Sequence, residues 1–262
     1  MNKIILDNTI PVVLKENKNT PRHAMCFYFK IEEPEKKAGL YTILNRLFLQ
    51  GTKNRSAAQL AQELDENAID CYSEMKQDFM RFKLQCLNED FEKGLEILAD
   101  IIKNSTLEEF DKEVIKLKGE IQAELDDPKS KALDEFYKNI YKNHPYGHTY
   151  TKILEDIDEL TKSDVECAYK NLLENSSKII SIAGDFEKDN LEEMLKKHFS
   201  DLKNNPDAQS KIPVPQLKEN SVVKIVKNDA SQAQIIQGWH VPTIYSKAVS
   251  YTHLRAHETR HD

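Results

Sequence analysis

A chain of 262 residues with 39% apolar side chains has material for one large domain or two modest ones around hydrophobic cores. Acidic residues (44) outnumber basic ones (37) for a formal net charge of −7, which leaves no basic footprint for nucleic acid or an anionic membrane. The apolar run Ile4 to Leu6 is too short for a signal-peptide core and no later run approaches a membrane span, so a soluble, cytoplasmic protein is expected.

Taken in chain order, Lys3 to Lys15 reads as strand, turn at Asp7-Asn8, strand, and His23 to Ile31 as a further strand with apolar residues alternating. Residues 37–50 are apolar at 40, 43, 44, 47 and 48, the spacing of one helical face, with Gly51 placed to terminate the helix. Ser56 with Gln59 forms a capping box for a helix running to Asn67, followed by paired strands at Ile69 to Met75 and Phe79 to Leu87. Helices are expected over Asp90 to Lys103, Leu107 to Leu125 (stopped by Asp126-Asp127-Pro128), Ser130 to Tyr141, Ser163 to Glu174 and Lys188 to Phe199, with a strand at Lys178 to Ala183. Four cysteines, Cys26, Cys71, Cys86 and Cys167, form no C-x-x-C pair and are expected as buried or half-buried reduced thiols.

Runs of strands separated by runs of helices imply an α+β domain, with helices packed on one side of a mainly antiparallel sheet. This domain is expected over 1–205. Residues 206–220, with Pro206, Pro213 and Pro215 among polar residues, read as a linker. Strands at Ser221 to Lys227 and Ala233 to Trp239 echo residues 11–29 and mark the beginning of a second, truncated domain over 221–249. Residues 250–262 hold three of the eight histidines and no lysine and read as a non-native tail rather than a metal-binding tract.

Residues 39–52, Gly-Leu-Tyr-Thr-Ile-Leu-Asn-Arg-Leu-Phe-Leu-Gln-Gly-Thr, have the most specific spacing in the chain. Their frame of Gly39, Phe48, Gly51 and Thr52 resembles the inverted zinc motif of the insulinase, or M16, peptidases, where His-x-x-Glu-His occupies the middle of the helix. In that family the two histidines bind zinc, the glutamate between them activates a water, and a glutamate on a later helix is the third ligand. The matching positions here read Thr42, Asn45 and Arg46: a neutral hydroxyl, an amide that takes no proton and a guanidinium that stays protonated. The distant acids match the family better, since Gly119-Glu120-Ile121 precedes Asp126-Asp127-Pro128 and Glu113 lies two helical turns before Glu120. His144-Pro145-Tyr146-Gly147-His148 through Ile157 also resembles the family's His-Pro-x-Gly loop and following helix, so the likeness runs from about residue 3 to residue 240.

The resemblance implies two related halves closing around a chamber, and extended peptides adding to a sheet edge beside the zinc helix. That edge is expected at Asp70, Cys71, Tyr72, Ser73, Glu74 and Met75. It further implies a non-catalytic M16 protein that binds peptide, or regulates processing, as partner of a catalytic M16 subunit, with no cofactor of its own. The alternatives are a structural scaffold subunit and an active zinc metalloendopeptidase. For Arg46 two arrangements fit the sequence, a surface arginine snorkelling from its helix or a cation paired with Glu120 where zinc's charge would stand. Glu113, Lys116 and Glu120 equally fit a solvated ion-pair stripe. His144 and His148 are four apart, but Pro145 and Gly147 break any shared helical face, and structural or exposed roles are expected for them. His23 and His198 have no company at ligand spacing.

Overall fold

Six strands build one sheet in the computed structural model, which describes residues 2–216, 222–225 and 233–239. The strands are β1 (Asn2–Ile5), β2 (Pro11–Glu16), β3 (Arg22–Lys30), β4 (Asp70–Met75), β5 (Phe79–Leu87) and β6 (Lys178–Gly184), in the spatial order β1-β2-β6-β3-β5-β4. The β2–β6 pair is parallel and the others are antiparallel, giving the mainly antiparallel α+β architecture expected from the sequence.

Side chains alternate across this sheet with period two. His23, Met25, Phe27 and Phe29 on β3, Met80, Phe82 and Leu84 on β5, and Ile180 and Ile182 on β6 are buried on one face, while Ala24, Cys26, Tyr28, Arg81 and Lys83 are half-exposed on the other. The helices cover the buried face. They are α1 (Leu40–Leu47), α2 (Ala57–Glu66), α3 (Phe91–Asn104), α4 (Phe110–Asp126), α5 (Pro128–Ile140), α6 (Tyr150–Asp156), α7 (Lys162–Asn175) and α8 (Lys188–Phe199). Ile43, Leu44, Leu47, Leu95, Leu98, Val165, Leu172, Leu191 and Leu195 from four of them join the sheet's residues in one core. Residues up to Pro215 form one compact unit.

The structure corrects several expectations. α1 is shorter than 37–50 because no residue at its start offers a side-chain cap; instead Glu35 reaches back, its Oε1 accepting from the Gly39 N–H at 3.3 Å and its Oε2 from the Tyr41 N–H at 3.2 Å. A carboxylate on these free donors satisfies them and opposes the positive end of the helix dipole. Gly39 has φ 95°, and a Cβ there would lie 2.9 Å from Ile153 Cγ2. Gly51 also has positive φ (127°), yet it does not cap α1, which ends three residues earlier than foreseen; it pairs with Ser56 in an isolated bridge. Cys167 is exposed on α7 rather than buried. No strand occurs at residues 222–225 or 233–239, because an extended segment becomes a strand only where a neighbouring ladder takes its backbone groups. The rest of the expected second-domain start and the tail at 250–262 lie outside the described residues.

After α1 the chain turns back through residues 51–55, and Asp100 on α3 fixes that turn. Its buried carboxylate accepts from Thr52 Oγ1 (2.7 Å), Asn54 Nδ2 (2.6 Å), Arg55 Nη1 (2.8 Å) and Asn104 Nδ2 (2.8 Å). Burial pushes this carboxyl up, and the four donors more than offset it, leaving Asp100 below its usual range. Asp100→Ala strands all four donors and is expected to cost about 3 kcal/mol in chemical denaturation at neutral pH. A depressed carboxyl stabilises the fold above its unfolded value and loses that contribution on acidification, so the deficit of the variant should shrink toward low pH.

Candidate functional site

α1 and α4 lie side by side, and between them Arg46 meets both acids of α4. Arg46 Nε donates to Glu113 Oε2 at 2.8 Å, while Nη1 and Nη2 donate to Glu120 Oε2 and Oε1 at 2.9 and 2.8 Å. The second contact is a bidentate fork, the geometry for which a planar guanidinium is suited and an ammonium is not. Two helical turns separate the acids, which is why both carboxylates reach one guanidinium.

The two acids differ in environment. Glu113 is 2% exposed and its second oxygen, Oε1, accepts from Lys116 Nζ at 2.7 Å; Glu120 is 59% exposed. Arg46 lies between them at 24%. Burial pushes the Glu113 carboxyl up, but the hydrogen bonds from Lys116 and Arg46 and their charges outweigh it and leave the carboxyl below its ordinary value. Arg46 is raised further by its hydrogen bonds to Glu120 and Glu113 against the cost of burial, and stays protonated. Glu113 therefore belongs to a buried pair and not to a solvated stripe, although its pairing with Lys116 is present.

Thr42, Asn45 and Arg46 share the half-exposed face of α1, at the i, i+3, i+4 spacing. Asn45 faces β4: its backbone carbonyl accepts from Ser73 Oγ at 3.1 Å, and its Oδ1 is buried without a hydrogen-bond partner. β4 is an edge of the sheet. Lys76 N–H donates to Phe79 O at 2.8 Å across the tight turn joining β4 to β5. Hydrogen-bonded pairs alternate along an antiparallel ladder, so Asp70, Tyr72 and Glu74 direct their backbone groups to β5, while those of Cys71, Ser73 and Met75 point away from the sheet. The side chains of Cys71, Ser73 and Met75 lie on the face of α1, opposite the buried Leu84, Phe82 and Met80; those of Asp70, Tyr72 and Glu74 lie on the other face.

Among the described residues the histidines form no shared site. His144 Nδ1 accepts from the Tyr146 N–H at 3.1 Å while its Nε2 meets Pro213 O at 2.7 Å, and His148 Nδ1 is 3.0 Å from Glu35 Oε1. Both tie loops to the body of the unit. His23 stacks on Phe91 with ring centroids 4.1 Å apart. Among the described residues no group of three or more His, Cys, Asp or Glu side chains could hold a metal ion. A cleft of about 270 Å³ lined by Glu32, Tyr41, Asn175 and Gln209 shares no residue with this site.

The family model for insulinase (peptidase family M16) matches residues 12–152, more than half of the chain. The chain belongs to peptidase family M16. A second model, the peptidase M16 inactive domain, matches residues 159–256. This M16 chain is similar to an uncharacterized zinc protease of Rickettsia felis, 26% identical over 227 residues that cover 86% of this chain and 54% of that protein. It is also similar to the mitochondrial-processing peptidase subunit beta of Neurospora crassa, 26% identical over 65% of this chain and 36% of that one. In fold it matches the crystal structure of a protease from Helicobacter pylori with a TM-score of 0.71 at 24% identity, covering 83% of this chain and 53% of that chain. The chain thus spans about half, or less, of the length of the curated relatives it matches.

Asp100 and Glu35 were not singled out from the sequence. The signal for Asp100 was there: an acid inside the apolar run Ile97-Leu98-Ala99-Asp100-Ile101-Ile102 must have partners where it is buried. Glu35 leaves no local signature, since it caps a helix from four residues upstream through a loop.

Proposed function

We propose that this chain is a non-catalytic M16 protein that binds extended peptide along β4 and works beside a zinc-bearing M16 subunit. The observation that carries this reading is the guanidinium of Arg46 held by Glu113 and Glu120. The donor set does not fit the zinc that the family implies. Thr42 and Asn45 provide neutral oxygens that ligate zinc poorly, and a permanent cation already occupies the two carboxylates that could have drawn a metal in. A buried glutamate without a cation would be costly, so Arg46 does electrostatically, for Glu113 and Glu120, what a metal ion would do. It cannot activate water.

Peptide binding asks for no metal. The outward backbone groups of Cys71, Ser73 and Met75 offer a ladder to an added strand, and α1 runs alongside. Ser73→Pro tests this without breaking the β4–β5 ladder, since the Ser73 N–H faces away from β5, although it also removes the Ser73 Oγ bond to Asn45 O. In fluorescence anisotropy with a labelled Thr/Val-rich peptide, the variant should bind about tenfold more weakly, whereas Ser73→Ala, which loses the same Oγ bond but keeps the N–H, should bind as the wild-type chain does. Unchanged affinity would count against strand addition. The similarity to a protein named as a processing-peptidase subunit supports a paired role. Co-expression with a zinc-bearing M16 subunit should raise peptide hydrolysis above that of either chain alone, and hydrolysis indifferent to this chain would favour the scaffold reading.

A further inference from the structure

The two ends of the Arg46 guanidinium are unlike each other. The inner end, Nε, is fixed on a glutamate that is 2% exposed and also tied by Lys116. The outer end, the Nη1/Nη2 fork, rests on a glutamate that is 59% exposed. An exposed ion pair gains little over the hydration that each partner would otherwise have, so the outer fork is exchangeable and the inner contact is not.

The β4 edge sets what could exchange with it. Residues directly opposite each other in an antiparallel ladder put their side chains on the same face. A peptide residue opposite Ser73 therefore projects over α1, on the face where Ser73 Oγ reaches the carbonyl of Asn45, one residue before Arg46. Resting on the strand-addition reading, we propose that Arg46 selects peptides carrying a carboxylate at that position, with Glu120 acting as a built-in competitor that yields to it.

Exposure decides the sign of the preference. When a peptide carboxylate takes the fork, Glu120 is released into water that already surrounds most of it, and the guanidinium remains fully paired. A peptide lysine finds no carboxylate oxygen here that a cation has not already engaged, because Glu113 holds Arg46 on one oxygen and Lys116 on the other, and Glu120 holds Arg46 on both. Recruiting Glu120 to a lysine would leave the half-buried outer end of Arg46 without a partner, which is the more costly loss. The site therefore discriminates by charge, although its own four groups, Arg46, Lys116, Glu113 and Glu120, sum to zero.

The test uses the full chain and three labelled Thr/Val-rich peptides that differ only in a central Glu, Gln or Lys, read by fluorescence anisotropy. The Glu peptide should bind the wild-type chain about threefold tighter than the Gln peptide, and the Lys peptide no tighter than Gln. Glu120→Gln, a change at an exposed position that leaves the core alone, should widen the Glu-over-Gln preference to about tenfold by weakening the internal competitor. Arg46→Lys, which keeps the cation for Glu113 but removes the fork, should close it. Equal binding of the Glu and Gln peptides to both the wild-type chain and Glu120→Gln would overturn the carboxylate preference while leaving strand addition standing. Failure of all three peptides to bind would overturn strand addition itself, and the preference with it.

Discussion

Arg46→Ala is expected to destabilise the chain by about 3 kcal/mol at neutral pH, because it removes one of the two cations from a glutamate buried to 2% exposure. Lys116 remains on Glu113 Oε1, which keeps the loss toward the lower end of the range for a broken buried pair. Chemical denaturation followed by circular dichroism measures it. The sign of its pH dependence follows from the direction in which Glu113 is shifted. In the wild-type chain this carboxyl is depressed below its ordinary value of 4.5, so it stabilises the fold above that pH and the stabilisation is lost as pH falls through the lower folded value. Without Arg46 the effect of burial is less opposed, the folded value rises, and a protonated Glu113 no longer needs the missing cation. The gap between wild type and variant should thus be widest near neutrality and narrow below the ordinary carboxylate range. A gap that stays constant or grows on acidification would mean that Arg46 contributes through packing rather than charge. Arg46→Lys should recover part of the loss, since it restores the charge without the fork.

The triple variant Thr42→His, Asn45→Glu, Arg46→His is expected to gain zinc. The three positions share one half-exposed face of α1, and Arg46 already shows that a side chain from that face reaches Glu120. Two histidines at i, i+4 and a carboxylate from a neighbouring helix make a three-ligand set of the kind that holds catalytic zinc. The purified variant should carry about one zinc per chain by mass spectrometry of the metal, and adding Glu120→Gln should abolish it. Failure of a folded triple variant to bind zinc would show that the position of α4 relative to α1 has drifted from what a metal requires. Protonation of the new histidines should release the metal below about pH 6, giving a second readout of ligation.

Much of this fold was legible because local signals and burial agree. Alternation in residues 23–29 and 79–87 marks β3 and β5, the capping box at Ser56 opens α2, and Asp127-Pro128 separates α4 from α5. The exact extent of α1 was not legible, because its start is capped by Glu35 and Asp156, whose side chains arrive from loops and from α6. The position of Gly51 was likewise misread: a positive φ could be inferred, but the bridge to Ser56 that requires it depends on Asp100 from another helix. At the site, the residue types and helical spacing were enough to nominate Arg46, Glu113 and Glu120 together. They could not tell that Glu113 is buried and Glu120 exposed, because that depends on how α4 is rotated against α1 and α5. This difference is what separates a fixed inner contact from an exchangeable outer one.

The most direct test of Arg46 standing in for a metal is the zinc content of the wild-type chain, purified without chelator and alongside the triple variant as a positive control. No stoichiometric zinc is expected, and no change in melting temperature on adding EDTA, because Glu113 and Glu120 already have their cation. A wild-type chain carrying about one zinc, lost in Glu120→Gln and on chelation, would contradict it.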